Sequence, residues 1–359
     1  MNLIEDHRGD VLLVGSLPFD TAEEAIRAAA EHLGDHLPAF GDGEVGLRKL
    51  WIGFLPMTIY SKHPQIETLR APDGGVPKPH HSDVYESAFL FGIKEGEELR
   101  FETTNYGPIA IESYSVFQQL REQGVIPPGV RFQVTFPGTG SAISYFFQES
   151  DWPAAHAAYH DAVRRDIELI CEHVPVEDLQ FQFDLAQEFV DMASGDGRSI
   201  ADWPEATLEE KLQRHAATLP LLSRHVPEGA RLGFHWCYGT WGGWPMKDMA
   251  DLGLCVRMTK EALRGNSHRV DYVHMPALKQ PRPDFFAPLA ELDGDDLAVY
   301  LGIIHHTDGV EGFIDRMEMA RRYRDRFGIS SVCGYGRVPQ EELPHVLAVH
   351  RDCAAALRA

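Results

Sequence analysis

The chain has 359 residues, 44% of them hydrophobic and 24% charged, which is the composition of a soluble globular protein with a full core and no disordered or repeat character. Its formal net charge of −21, from 33 Lys and Arg against 54 Asp and Glu, repels a phosphate backbone and excludes nucleic acid as an expected partner. No apolar run approaches the roughly 20 residues that span a bilayer, and the start MNLIEDHRGD lacks the basic-then-apolar order of a secretory signal, so no membrane partner is expected and the expected location is the cytoplasm.

Short β-rich runs alternate with helical stretches, the pattern of parallel strands joined by crossover helices. DVLLVGSLP predicts a first strand ending at Gly15 and Ser16. A helix follows in TAEEAIRAAAEHLG, with Thr21 as N-cap, Glu24 three residues on and Gly34 as stop. The next strand is short and closes in GDGEVG, which carries Glu44. Residues from about 48 to 106 break the rhythm. LWIGFLPMTIY and AFLFGIKEGEELRFETTNYG read as hairpin strands, the second turning at KEGE, with the loop APDGGVPKPHHSD between them. This predicts an insertion at the rim of the fold.

The alternation then resumes with the helix IAIESYSVFQQLREQG, the strand and turn VRFQVTFPGTG, and the long amphipathic helix PAAHAAYHDAVRRDIELICEH. The strand LQFQFD, a helix around 208–223, the strand ARLGFHWC, a helix around 259–264 and the strand VDYVHMP follow. The last units are LAVYLGIIHH, the helix EGFIDRMEMARRYRDRFG, ISSVCGYG and the closing helix EELPHVLAVHRDCAAALRA. Eight strands end near Ser16, Glu44, Pro137, Asp184, Cys237, His274, His305 and Cys333. That count predicts an α/β fold, a (β/α)8 TIM barrel, as one domain over residues 1–359 with a β-hairpin insertion in its N-terminal third. Nearly every strand delivers a polar or metal-capable side chain at its C-terminal end, where barrel enzymes build their sites.

HWCYGTWGGWP, residues 235–245, puts a histidine and a cysteine two apart on a strand, so both side chains share a face and can reach one ion. The spacing alone fits plain core packing as well. Five cysteines, odd in number and widely spaced, argue against disulfides. Cys333, at a strand end before a glycine-rich turn, offers a third donor, and three donors leave a fourth position open as a catalytic zinc site requires. Cys171, Cys255 and Cys353 read as buried hydrophobes.

LLVGSLPFDT, DGEVG, TFPGTG, LQFQFD, FHWCYG, IIHH and VCGYG follow one another in an order that resembles the cobalamin-independent methionine synthases, within the superfamily that includes uroporphyrinogen decarboxylase. The resemblance implies the same barrel, Zn²⁺ held by His235, Cys237 and Cys333, and an amino acid bound by the Gly15–Ser16 turn and by Glu44. It also matches Asp184, in DLA where the family has Asp-Glu-Pro, and it implies a proton donor at His305. Where those synthases offer a glutamate on the sixth strand, this chain has His274, which either ligates the metal or hydrogen-bonds the substrate. With two thiolates and neutral imidazoles the site is uncharged, which makes a stronger Lewis acid. A single barrel replaces the duplicated one of folate-using synthases. Trp236, Tyr238, Trp241 and Trp244 predict a stacking surface for a planar substrate.

Two enzyme readings follow. The first is a zinc-dependent methyltransferase acting on a small-molecule substrate, with a thiol as acceptor and His305 moving a proton. The second is a zinc-dependent carbon–carbon lyase that releases formaldehyde from an aromatic alcohol, with His305 or Asp308 as base. A non-catalytic zinc- or ligand-binding barrel is the third reading. A homodimer is the expected assembly.

Overall fold

The computed structural model describes residues 7, 9–72, 88–200, 203–240, 243–292 and 296–358. Along the chain lie β1 (Val11–Leu12), α1 (Ala22–Leu33), β2 (Ala39–Phe40), α2 (Phe54–Thr58), β3 (Ile66–Arg70), β4 (Leu90–Ile93), α3 (Tyr106–Glu122), β5 (Arg131–Pro137) and α4 (Trp152–His173). They continue as β6 (Leu179–Leu185), α5 (Gln187–Ala193), α6 (Leu208–Ala216), α7 (Leu219–Ser223), β7 (Arg231–Trp236) and α8 (Gly253–Gly265). The series closes with β8 (Tyr272–Pro276), β9 (Ala298–Ile304), α9 (Gly309–Arg321), β10 (Gly328–Ser331) and α10 (Leu343–Arg358). Eight of the strands form one parallel sheet in the order β1-β10-β9-β8-β7-β6-β5-β2, curled into the predicted barrel with helices between strands.

Strand β6 shows how the sequence builds this barrel. In LQFQFDL the polar side chains point into the lumen and the phenylalanines point at the helices, because both faces of a barrel strand are buried. The lumen must then satisfy its own polar groups. Gln182 Nε2 donates to the Val14 carbonyl at 2.7 Å and to Asp184 at 2.8 Å. Gln133 Nε2 donates to the carbonyls of Leu13 and Val14, both at 3.2 Å. These amides tie β5 and β6 across to the residues that follow β1, at the seam where the two-residue edge strands β1 and β2 meet no ladder. On the outer face Phe183 packs at 6.0 Å from both Phe136 and Phe234. Lower in the lumen, Tyr272 and Tyr300 occupy the space left by Gly233 and Gly328, where an added Cβ would meet a ring at 2.1 and 2.4 Å.

The predicted cap of α1 is present, with Thr21 and Glu24 bonding reciprocally. The segment 48–106 differs from expectation. WIGFLPM, read as a hairpin strand, forms 3₁₀ turns over Gly46–Gly53 and then α2. A continuous apolar run carries no period, so burial decides between strand and helix. The hairpin of the insertion pairs β3 with β4 in antiparallel register, and the KEGE turn follows β4 instead of joining two strands. Most of the loop APDGGVPKPHHSD lies outside the described residues. Among the described residues no helix is long and apolar enough to cross a membrane.

Candidate metal centre and pocket

Register brings the site together. Asp184 on β6 stands opposite His235 on β7, which stands opposite His274 on β8, so all three side chains enter the lumen at one level. The Cys237 amide donates to the Leu185 carbonyl at 2.9 Å, which carries the β7 alternation one residue further and keeps Cys237 on the face of His235. Cys333 arrives from the turn after β10, where Ser331 Oγ donates to its carbonyl at 2.7 Å. The two sulfurs lie 3.8 Å apart, and the donor atoms of His235, Cys237 and Cys333 all fall within 4.8 Å of one another. Two thiolates bound tetrahedrally at about 2.3 Å from zinc stand about 3.8 Å apart. The His235 Nε2 atom is buried without a hydrogen-bond partner. An orphaned imidazole nitrogen facing two thiols fits a zinc ion. Between the thiols, the hydrogen bond from Cys237 and the nearby His235 hold Cys333 well below the usual thiol range, and that same bond, with burial, pushes Cys237 up.

His274, expected to ligate the metal or to meet the substrate, has both ring nitrogens engaged within the protein and does not line the cavity. Its Nε2 lies 3.0 Å from the Ser331 carbonyl and its Nδ1 lies 2.6 Å from His235 Nδ1. A carbonyl only accepts, so His274 Nε2 carries the proton. Burial and the neighbouring His235 hold the His274 pKa well below its ordinary value, which leaves His274 Nδ1 as an acceptor. In the neutral ring His235 Nδ1 therefore donates, which leaves the Nε2 lone pair for an ion held by the thiols. His274 sits behind His235 and biases its tautomer, as outer groups do when they orient an imidazole towards a metal. His274→Ala is expected to lower zinc affinity by roughly 10–100-fold, measured by competition with a chromophoric chelator. An unchanged affinity would show that the tautomer needs no such partner.

The donors form one side of an open cavity at the C-terminal end of the barrel, with Gly15, Ser16, Glu44 and Asp184 facing it. Glu44 is held in an unusual backbone conformation: Gly43 and Glu44 have φ of 73° and 47°. Asp42 clamps the turn by accepting the Glu44 amide at 3.0 Å, two bonds from Arg48 at 3.1 and 2.6 Å, and Ser113 Oγ at 2.5 Å. Burial pushes the Glu44 carboxyl up to about 8, against the opposing charge of Arg48 and with help from Asp42 and Cys333. Burial and Glu44 also raise Asp184. Two carboxyls and two thiols thus crowd one water-poor space, and a cation is the complementary guest.

Because the folded Glu44 pKa lies above the unfolded value near 4.5, its ionisation costs metal-free stability progressively as pH rises from 4.5 towards 8. Glu44→Gln is accordingly expected to stabilise the zinc-free protein by an amount that grows between pH 5 and pH 8 and reaches roughly a few kcal/mol. Thermal melts of both proteins across that range check the sign; a difference independent of pH contradicts it.

Four expected site residues lie elsewhere. Trp236 and Tyr238 alternate with the donors and therefore point out of the lumen. Trp236 Nε1 donates to Thr259 Oγ1 at 2.9 Å while its ring stacks on Phe234 and Phe189, and Tyr238 packs 5.4 Å from Phe189. Both are buried helix-layer residues, not a substrate wall. His305 Nε2 bonds the Ala277 carbonyl at 3.0 Å, and burial pushes its pKa down to about 4. Asp308 stands at the start of α9 and accepts two bonds from Arg316, at 2.8 and 2.9 Å. Neither His305 nor Asp308 lines the cavity. Trp244 lies 6.0 Å from His305, and Trp241 lies outside the described residues. The cavity instead includes Lys49, Trp51, Gln187 and Arg337, none of which the sequence pointed to. Arg337, four residues after Cys333 in CGYGR, was the one with a readable signal: a basic residue in a glycine-rich turn beside a ligand.

No protein-family model and no curated protein matches the chain. Among solved structures it is similar to a B12-independent methionine synthase from Shewanella sp. W3-18-1 in complex with selenomethionine, with a TM-score of 0.61 and 15% identity over 98% of each chain. It is also similar to a putative vitamin-B12-independent methionine synthase from Listeria monocytogenes, with a TM-score of 0.53 and 15% identity over 92% of this chain and 86% of that one. The chain has the barrel fold of the B12-independent methionine synthases.

Proposed function

We propose that the protein is a zinc-dependent enzyme that transfers a methyl group to or from the sulfur of a small thiol. The observation that carries the reading is the convergence of His235 Nε2, Cys237 Sγ and Cys333 Sγ on one side of a cavity that Glu44 and Asp184 face. His235, Cys237 and Cys333 would hold the ion. A zinc ion there supplies positive charge that favours the thiolate form of an incoming thiol, the nucleophilic form. Glu44 and Asp184, both protonated more readily than ordinary carboxyls, would release a proton as a cationic group enters and take one up as it leaves, because an ammonium beside them favours their ionised forms. Gly15 and Ser16 stand at the same wall and would orient that group. The selenomethionine bound to the Shewanella protein supports an amino acid with a soft side chain as the substrate class.

The lyase reading keeps the uncharged donor set but has less behind it in the side chains around it. Its aromatic wall, Trp236 and Tyr238, faces the helices, and Asp308 is committed to Arg316. The test is to incubate zinc-loaded protein with homocysteine and a methylated corrinoid, and to follow methionine by mass spectrometry. A parallel incubation with aromatic alcohols and no acceptor is assayed for formaldehyde. Methyl transfer that depends on both zinc and the thiol is expected; formaldehyde release without any acceptor would overturn the proposal in favour of the lyase.

A further inference from the structure

The cavity is segregated by charge. Its inner end carries Glu44, Asp184 and the two thiols, whereas the basic side chains on its lining among the described residues are Lys49 and Arg337. In a protein of net charge −21, two cations beside one cavity have a local purpose. Backbone packing places them together. The turn after β10 lies on the turn after β1, with the Tyr335 amide donating to the Ser16 carbonyl at 2.6 Å. A Cβ at Gly336 would meet Ser16 Oγ at 2.6 Å and Lys49 Cβ at 3.4 Å, so Lys49 packs beside the residue that precedes Arg337.

Arg337 then reaches across to Thr240 Oγ1, bridging the segments after β7 and β10 that carry the two cysteines. It has no carboxylate partner among the described residues. Lys49 meets Asp20 at 3.2 Å, but that aspartate side chain is 87% exposed and competes weakly for it. On the same cavity, Gln187 is buried and its Oε1 has no hydrogen-bond partner, an acceptor waiting for a ligand donor.

We infer that Arg337 and Lys49 form an anion subsite, so that a molecule bound in this cavity carries a carboxylate or a comparable anionic group directed at them. A guanidinium with no carboxylate partner and an ammonium paired only with an exposed aspartate, both at the rim of a concave site, recognise an anion by charge-assisted hydrogen bonds. The inference rests on the proposed function only in taking this cavity as the substrate pocket. The anionic group belongs either to the thiol itself or to the second substrate.

Ligand-observed NMR on the full-length zinc-loaded protein separates these cases with four probes of matched size: 3-mercaptopropionate, 3-mercapto-1-propanol, butyrate and 1-butanol. In the wild type each anionic probe is expected to bind roughly fivefold tighter than its neutral counterpart. In the double variant Arg337→Gln/Lys49→Gln that preference is expected to vanish while the neutral probes bind as before. Butyrate that competes with 3-mercapto-1-propanol puts the anion on the thiol molecule; butyrate that binds alongside it puts the anion on the second substrate. Equal binding of charged and neutral probes to the wild type, including no binding of either, overturns the subsite, as does a preference that survives in the double variant. Failure of zinc to favour 3-mercaptopropionate over butyrate would instead count against the proposed thiol chemistry and leave the anion subsite standing.

Discussion

Replacing either Cys237 or Cys333 with serine is expected to abolish stoichiometric zinc while leaving the barrel folded. Loss of an outer partner typically costs 10–100-fold in metal affinity, and loss of a direct thiolate donor costs roughly another factor of ten or more. The fold survives because both cysteines sit at the C-terminal rim, beyond the ladder that ends at Trp236 and Ser331. A barrel with a contiguous core needs no metal to close it. Elemental analysis of dialysed protein, with circular dichroism on the same samples, reads both halves of the prediction. Full zinc retention in both variants would refute the metal centre; unfolding of both would make the ion a structural staple.

Asp191→Ala is expected to destabilise the protein by roughly 3–5 kcal/mol, read from the urea midpoint, because it strands a buried cation. The Asp191 side chain is fully buried and accepts Lys211 Nζ at 3.3 Å, Arg214 at 2.6 Å and His215 Nε2 at 2.8 Å, with Ser199 as a fourth donor. Lys211 is equally buried, and otherwise donates to the carbonyls of Asp191 and Gly195. Burial alone would raise the Asp191 pKa, but the hydrogen bond and charge of His215, with Ser199 and Arg214, carry it well below the usual carboxylate range. Its folded pKa is thus depressed, so its stabilisation is present above the unfolded value near 4 and is lost as pH falls below it. The wild type should lose stability steeply on acidification, and the alanine variant should lose less. Asp191 belongs to α5, the helix that opens at the cavity residue Gln187, so the same substitution loosens one wall of the pocket. A variant as stable as the wild type would show that Lys211 finds water or another partner.

Much of the site was readable because a strand has a period of two. His235 and Cys237 share a face for that reason alone, and Asp184 and Glu44 fall at strand ends that the barrel brings together. The same period, applied to Trp236 and Tyr238, already turned them away from the donors; sequence proximity to the metal pair was the misleading signal. His274 occupies a ligand's level on β8, but which atoms its ring nitrogens meet depends on Ser331 and His235, 57 and 39 residues away. No local pattern encodes that. Asp308 looked free in HHTDG until α9 delivered Arg316. Trp51 enters the cavity from a kink with φ 49° and ψ −106°, inside a run whose continuous apolar character hides its helical turns.

Zinc K-edge X-ray absorption on the metal-loaded protein tests the centre most directly. Two sulfur neighbours at about 2.3 Å and a single imidazole nitrogen at about 2.0 Å are the predicted protein ligands. A shell without sulfur, or one with two imidazoles and so with His274 in the coordination sphere, would contradict the account.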